Sequence, residues 1–155
     1  IDKGVRSVSI SWCDQICISA ITARNLADRL KLAGPADMVF PTVAIADPYI
    51  HMQRDSNGVI NKVLHRREGD VMPALGENDC GLFGLNATAY FEELTNYSNQ
   101  VELGVGTGER NFLPFIPWLS QRGTVETFAA QDSMEAIGVN TRDDALEIER
   151  YWSNF

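Results

Sequence analysis

Extended, β-rich runs alternate along this chain with segments that carry helix caps. That rhythm restricts the fold more than any other feature, because strands alternating with helices bury their apolar faces as layers of an α/β sheet. Ser7-Val8-Ser9-Ile10-Ser11-Trp12 alternates as a strand does. Ser19 then stands where a helix needs a cap, ahead of an apolar face of Ile21, Leu26, Ala27 and Leu30, with Gly34 and Pro35 closing the helix. Residues 39–45 form a second β-rich run, in which Pro41 predicts a strand edge or a bulge, since proline brings no N–H to a ladder.

Residues 51–54 and 59–64 flank Asp55-Ser56-Asn57-Gly58, and the Asn-Gly step is a strong local signal for a β-hairpin. The polar stretch 66–78, broken by Gly69, Pro73 and Gly76, reads as a loop before a strand at 80–85. Asn86 can cap a helix through Tyr90, Phe91 and Leu94, and an apolar helix around residues 112–119 is troubled by Pro114 and Pro117. A strand at 124–130 and a helix from Thr141 to Trp152 end the pattern. The expected fold is therefore α/β, with a mixed, mostly parallel sheet and one hairpin.

Composition narrows the function. The 155 residues suit one compact unit, and no apolar run approaches the ~20 residues of a membrane span. The net charge is -8 with Lys and Arg scattered, so no basic stripe is available to neutralise a nucleic-acid backbone. No nucleic-acid or membrane partner is expected. Cys13, Cys17 and Cys80 form neither an even disulfide framework nor a metal-ligand pattern, which suits the reducing cytoplasm. Asn86-Ala87-Thr88 and Asn96-Tyr97-Ser98 match the short glycosylation pattern and read as plain surface asparagines.

Two positions offer chemistry. Asp14 follows the first strand directly and precedes a helix, and ligands of open α/β sheets collect beyond the carboxyl ends of strands. Asn140 lies in Gly138-Val139-Asn140-Thr141-Arg142, a turn ahead of the last helix. Magnesium takes hard oxygen ligands and keeps several waters, so a carboxylate, an amide oxygen and substrate phosphates would complete a shell. Each residue also has a plainer reading: Asp14 as a helix cap or turn residue, and Asn140 or Thr141 as the cap of the last helix.

In order and separation these segments resemble the sugar-nucleotide pyrophosphorylases, including the N-acetylglucosamine-1-phosphate uridylyltransferases. Trp12-Cys13-Asp14-Gln15 is similar to that family's Gly-Asp-x-Pro element after a strand, and Gly138-Val139-Asn140-Thr141-Arg142 to its Gly-Val-Asn-x-Arg element. Between them, Asp47-Pro48-Tyr49 resembles an Asp-Pro-x-x-Tyr-Gly-Arg segment, with Ile50 in place of the glycine. Residues 63–67 resemble the segment carrying a sugar-contacting glutamate, with His65 at that position. Glu77-Asn78-Asp79-Cys80-Gly81 resembles Glu-x-Asn-Thr-Gly, which puts Asp79 at the sugar-binding asparagine, and Thr107-Gly108-Glu109 resembles Thr-Gly-Glu.

The resemblance implies a Rossmann-like nucleotide-diphospho-sugar transferase fold and a catalytic Mg²⁺ held by Asp14 and Asn140. It further implies substrate contacts at Ile50, His65, Glu77, Asp79 and Glu109. The implied reaction takes a nucleoside triphosphate and a sugar-1-phosphate to a nucleotide-sugar and pyrophosphate.

The family's opening Leu-x-x-Gly-x-Gly-Thr-x-Met triphosphate loop has no counterpart, and Gly104-Val105-Gly106-Thr107-Gly108 precedes the wrong element to replace it, reading instead as a flexible loop. The expectation is that residues 1–155 are the C-terminal part of one nucleotidyltransferase domain whose N-terminal βαβ half lies upstream. Such a piece, inactive alone, would pair with that half or with a second copy. The rival expectation is a non-catalytic sugar-phosphate-binding or regulatory module.

Overall fold

In the computed structural model, residues 4–32 and 36–153 are described. Seven strands appear among them: β1 (Ser7–Ser11), β2 (Met38–Ala46), β3 (Ile50–Arg54), β4 (Ile60–His65), β5 (Leu75–Asp79), β6 (Leu82–Asn86) and β7 (Val125–Ala129). Four α-helices accompany them: α1 (Ala20–Lys31), α2 (Leu94–Ser98), α3 (Phe115–Ser120) and α4 (Arg142–Trp152). The architecture is α/β with a mixed sheet.

The sheet is not mostly parallel as the sequence predicts. β6 pairs antiparallel with β1 and β2, β5 pairs antiparallel with β2, and the parallel pair is β2 with β7. The difference arises at residues 75–79, of which 75–78 are read as loop from their polar composition. They form β5, which carries on in the same direction through Cys80-Gly81 into β6, so β5 and β6 lie end to end along one side of β2. Even so, β1, β2 and β7 all run in one direction, and their carboxyl ends share one side of the sheet.

Pro41 sits inside the central strand, not at an edge. Its tolerance follows from the handover between partners: β2 pairs with β6 at Met38 and Val39 and with β5 from Thr42 onward, and Pro41 falls in the gap, where only its carbonyl is engaged, by Cys80 N at 3.3 Å.

β2 and β6 are covered on both faces, which explains their nearly continuous apolar sequence. Met38, Phe40, Phe83 and Leu85 meet Phe115, Ile116 and Leu119 on one face, together with Met52, Ile60 and Val63 of the hairpin. Val39, Leu82 and Phe128 meet Leu26 on the other. Ser19 caps α1 by accepting from Thr22 N at 3.1 Å. The buried stripe of α1 is Thr22 and Leu26, with Leu30 half-buried, whereas Ile21 and Ala27 are exposed. A threonine can occupy that stripe because its hydroxyl has a buried acceptor, Glu135 Oε1 at 3.0 Å. The proposed helix stop at Gly34-Pro35 lies outside the described residues.

Gly58 closes the hairpin at φ 81° while Asn57 keeps a negative φ. The turn is therefore a type I turn followed by a left-handed glycine, in which Asp55 Oδ1 accepts from Asn57 N (2.8 Å) and Val59 N (3.0 Å). Asn86 is no plain surface residue. Its side chain accepts from Ala89 N at 2.7 Å and donates to Asp37 at 2.9 Å, opening a π-helical turn, Ala89–Glu93, that runs into α2. Pro114 precedes α3 and Pro117 falls in its first turn, where no intrahelical N–H bond is lost. α4 starts at Arg142 with Thr141 as its cap, within a residue of the predicted start.

The hairpin is fastened to the sheet by Arg54, which forks onto Glu77 (Nε to Oε2 2.7 Å, Nη2 to Oε1 2.6 Å) and donates to Thr127 Oγ1 at 2.8 Å. Burial pushes the Glu77 carboxyl up, but the Arg54 guanidinium outweighs it and leaves the group below its ordinary value. Arg54→Ala strands a half-buried carboxylate and is expected to cost about 2 kcal/mol in urea unfolding, while Arg54→Lys, unable to fork, recovers part of that.

Candidate functional site

The site begins where β1 ends. Trp12 packs against Phe83 (ring centroids 5.4 Å apart) and edge-on against Phe112 (5.5 Å), and its backbone N–H donates to Gly81 O at 2.8 Å. This apolar anchor fixes where the chain leaves the sheet, and Asp14 follows in the next turn, partly exposed. Asp14 O accepts from Val139 N at 2.9 Å, which draws the segment before α4 alongside.

Asn140 reaches the same place from the other direction. A Cβ built on Gly138 would stand 2.8 Å from Asp14 Oδ2 and 3.3 Å from Asn140 Nδ2, so both side chains border the space that glycine leaves open. The cap of α4 is Thr141, whose Oγ1 accepts from Asp144 N at 3.2 Å, while Asp144 Oδ2 accepts from Thr141 N (2.7 Å) and Asn140 N (2.9 Å). Those backbone bonds hold the Asp144 carboxyl below its ordinary value. The capping reading of Asn140 thus gives way to Thr141. The Asn140 amide nitrogen turns back to Gly138 O at 3.3 Å, which leaves its oxygen for another partner.

Asp79 ends β5, just before the chain passes into β6, and is 4% exposed. Burial, helped by the nearby Asp14 charge, pushes its carboxyl up to about 6 against the pull of the Gly81 N–H bond (2.8 Å). The structure therefore brings Asp14 and Asn140 together, with Asp79 near enough to Asp14 to feel its charge.

The other predicted contacts are held elsewhere. Ile50 is a core residue, 6% exposed, with its N–H given to Asn78 Oδ1 at 2.9 Å, so the substrate contact implied by the resemblance meets a buried side chain and a committed backbone donor. His65 Nδ1 lies 3.0 Å from Asn111 Nδ2 and its ring meets Tyr49 edge-on at 5.4 Å; burial lowers the imidazole pKa. Glu77 is committed to Arg54. Glu109 is exposed in the glycine-rich loop. That loop is anchored by Glu68, which accepts from Gly106 N at 2.7 Å and Thr107 Oγ1 at 2.8 Å. Arg66 likewise bonds to Asp47 Oδ1 and to the carbonyls of Asp47 and Pro48. A cleft of about 520 Å³ over β2 and β7, bordered by Thr42, Glu77, Thr127 and Asp132, does not include Asp14 or Asn140.

Sequence reasoning passes over two residues that assemble the site. Gln15, with its amide nitrogen facing them, donates to Glu135 O (3.1 Å) and Ile137 O (3.2 Å). Glu135 is 1% exposed and accepts from Ser19 N, Thr22 Oγ1, Gln131 N and Asp132 N. The Asp132-x-x-Glu135 spacing of a capping box was a legible signal for the local bonds, though not for the distant ones.

Among the described residues no group of three or more His, Cys, Asp or Glu is arranged to hold a metal ion. A cation would find an oxygen pair here, not a cage. No helix among the described residues is long and apolar enough to cross a membrane.

Comparison with known proteins finds distant relatives. The chain is 27% identical over 139 residues to the bifunctional protein GlmU of Pseudomonas fluorescens strain Pf0-1, covering 87% of this chain and 30% of that protein. It is 29% identical over 122 residues to the bifunctional protein GlmU of Solibacter usitatus, covering 76% and 25%. The chain is thus a distant relative that spans about a third or less of the length of the proteins it matches. No family model matches it.

Proposed function

We propose that this chain forms the metal and sugar-phosphate side of a nucleotidyltransferase, in a protein that passes a nucleotidyl group from a nucleoside triphosphate to a sugar-1-phosphate and releases pyrophosphate. The observation that carries this reading is the meeting of Asp14 and Asn140 beside Gly138. Distant similarity to GlmU proteins supports the same class.

The residues present fit Mg²⁺. Asp14 brings an anionic oxygen and Asn140 a neutral one, both hard donors, and few enough that phosphate oxygens and waters would make up most of the shell. Bound there, the ion would neutralise charge on the reacting phosphates. The chain's own contribution is placement. The Trp12 anchor and the Val139 bond fix Asp14, and the Thr141–Asp144 box fixes the backbone of Asn140, so neither need reorganise when phosphates arrive. On the sugar flank the reading assigns Asp79 first, then His65, Glu77, Glu109 and the backbone at Ile50. Glu77 would release Arg54 to take part.

The test is Mn²⁺ binding with pyrophosphate, followed by electron paramagnetic resonance. Gly138→Ala, which pushes a methyl between the two side chains, is expected to weaken Mn²⁺ at least tenfold while the melting temperature changes little. Binding that survives both Gly138→Ala and Asp14→Ala would remove the site.

A further inference from the structure

Four hydrogen bonds converge on the buried carboxylate of Glu135, and they come from two directions. Ser19 N (3.0 Å to Oε2) and Thr22 Oγ1 (3.0 Å to Oε1) belong to the segment that follows Asp14. Gln131 N (2.9 Å) and Asp132 N (3.2 Å) belong to the exit from β7, on the way to Asn140. Beside them run two further ties between the same segments, the Gln15 amide to the carbonyls of Glu135 and Ile137, and Val139 N to Asp14 O. No cation is paired with Glu135 among the described residues, so hydrogen-bond donors alone offset the loss of water around it.

We propose that Glu135 is a positioning residue that clasps the segment bearing Asp14 to the segment bearing Asn140 and so sets the distance between their oxygens. This rests on the reading of that pair as a cation site. The clasp needs a carboxylate with two accepting oxygens. In glutamine, an amide nitrogen on one side would face Ser19 N–H donor to donor, or on the other would face Thr22, Gln131 and Asp132. Aspartate is one methylene short of spanning the two segments.

The test reads the clasp separately from the metal. Amide exchange by NMR in Glu135→Gln is expected to show Val139 N–H exchanging at least tenfold faster, with amides of β2 and β6 unchanged, because the opening is local. Mn²⁺ affinity with pyrophosphate falls at least tenfold in the same variant. Thr22→Val, which removes one donor and keeps the volume, gives the same pattern more weakly and stands in if Glu135→Gln does not fold. Val139 protection that survives these substitutions overturns the clasp. Val139 protection lost while Mn²⁺ affinity is unchanged shows a clasp that does not position the pair, and overturns the proposal as well. If wild type binds no Mn²⁺, the reading of the cation site fails, and with it the role assigned to Glu135, whatever Val139 does.

Discussion

Asp14→Ala is expected to lower metal-dependent nucleotidyl transfer about 10²- to 10³-fold in the nucleotidyltransferase proposed above, the range seen when one preorganised electrostatic contact to a transition state is lost. Its melting temperature should stay close to that of wild type. The two expectations separate because Asp14 serves the fold through its backbone and the site through its side chain. The carbonyl that accepts from Val139 N survives in alanine, as does the Trp12 packing that places the turn. Asp14→Asn, which keeps the shape and removes the charge, should fall between the two, since an amide oxygen still ligates but neutralises nothing. The same substitutions remove a charge that raises the Asp79 pKa, so Asp79 should titrate at lower pH in Asp14→Ala. Magnesium titrations of the initial rate, together with NMR titration of Asp79, check both. Normal magnesium-dependent turnover in Asp14→Ala would end the assignment.

What the sequence revealed follows the range over which each residue acts. The Ser19 and Thr141 caps and the Asp55–Gly58 turn depend on neighbours within four residues, and each is present. Val39, Phe40, Phe83 and Leu85 are buried in strands, as their apolar runs suggest. The direction of pairing is set by contacts far apart in sequence. Residues 75–79 carry Gly, Glu, Asn and Asp, poor strand formers by composition, yet they are in β5 because they pair with Thr42–Ala46 of β2, while Asn78 and Glu77 are also held by Ile50 N and Arg54 of the hairpin. Pro41 met the bulge alternative of its expectation and not the edge one, because the ladder along β2 is interrupted where β6 hands over to β5, which only distant residues decide. At the site, Asp14 stood out because it follows a strand, and β1, β2 and β7 do share a carboxyl edge although most pairings are antiparallel. Glu135 did not stand out, since a glutamate in an acidic segment gives no hint of a donor 116 residues away.

Asp79→Asn is expected to stabilise the chain by about 2 kcal/mol at pH 7.5 and by almost nothing below pH 4. Burial raises the Asp79 pKa to about 6 in the folded chain, while in the unfolded chain the group returns to the ordinary carboxylate range near 4. Between these values the folded state holds more protons than the unfolded state, so stability present below pH 4 is lost as pH rises through 6. An asparagine keeps the oxygen that accepts from Gly81 N and cannot ionise; its added N–H₂ needs a partner there, which is why the expected gain is below the full shift of about 3 kcal/mol. Two other sets of groups act on the same curve. Asp70, Asp132, Asp144 and Glu77 have lowered values, so their contribution appears above the unfolded carboxylate values and is lost as pH falls through the folded ones, in a lower window. His65 is lowered by burial, and its contribution is lost as pH falls, opposite in sign to Asp79 in an adjoining window. Both cancel in the difference between wild type and Asp79→Asn, which is the quantity to measure by urea unfolding at pH 4, 5, 6 and 7.5. The gap should open steadily from pH 4 and level off above 6. A gap that does not change with pH would mean that Asp79 keeps its charge in the folded chain, and its surroundings would have to be more open to water than its 4% exposure indicates.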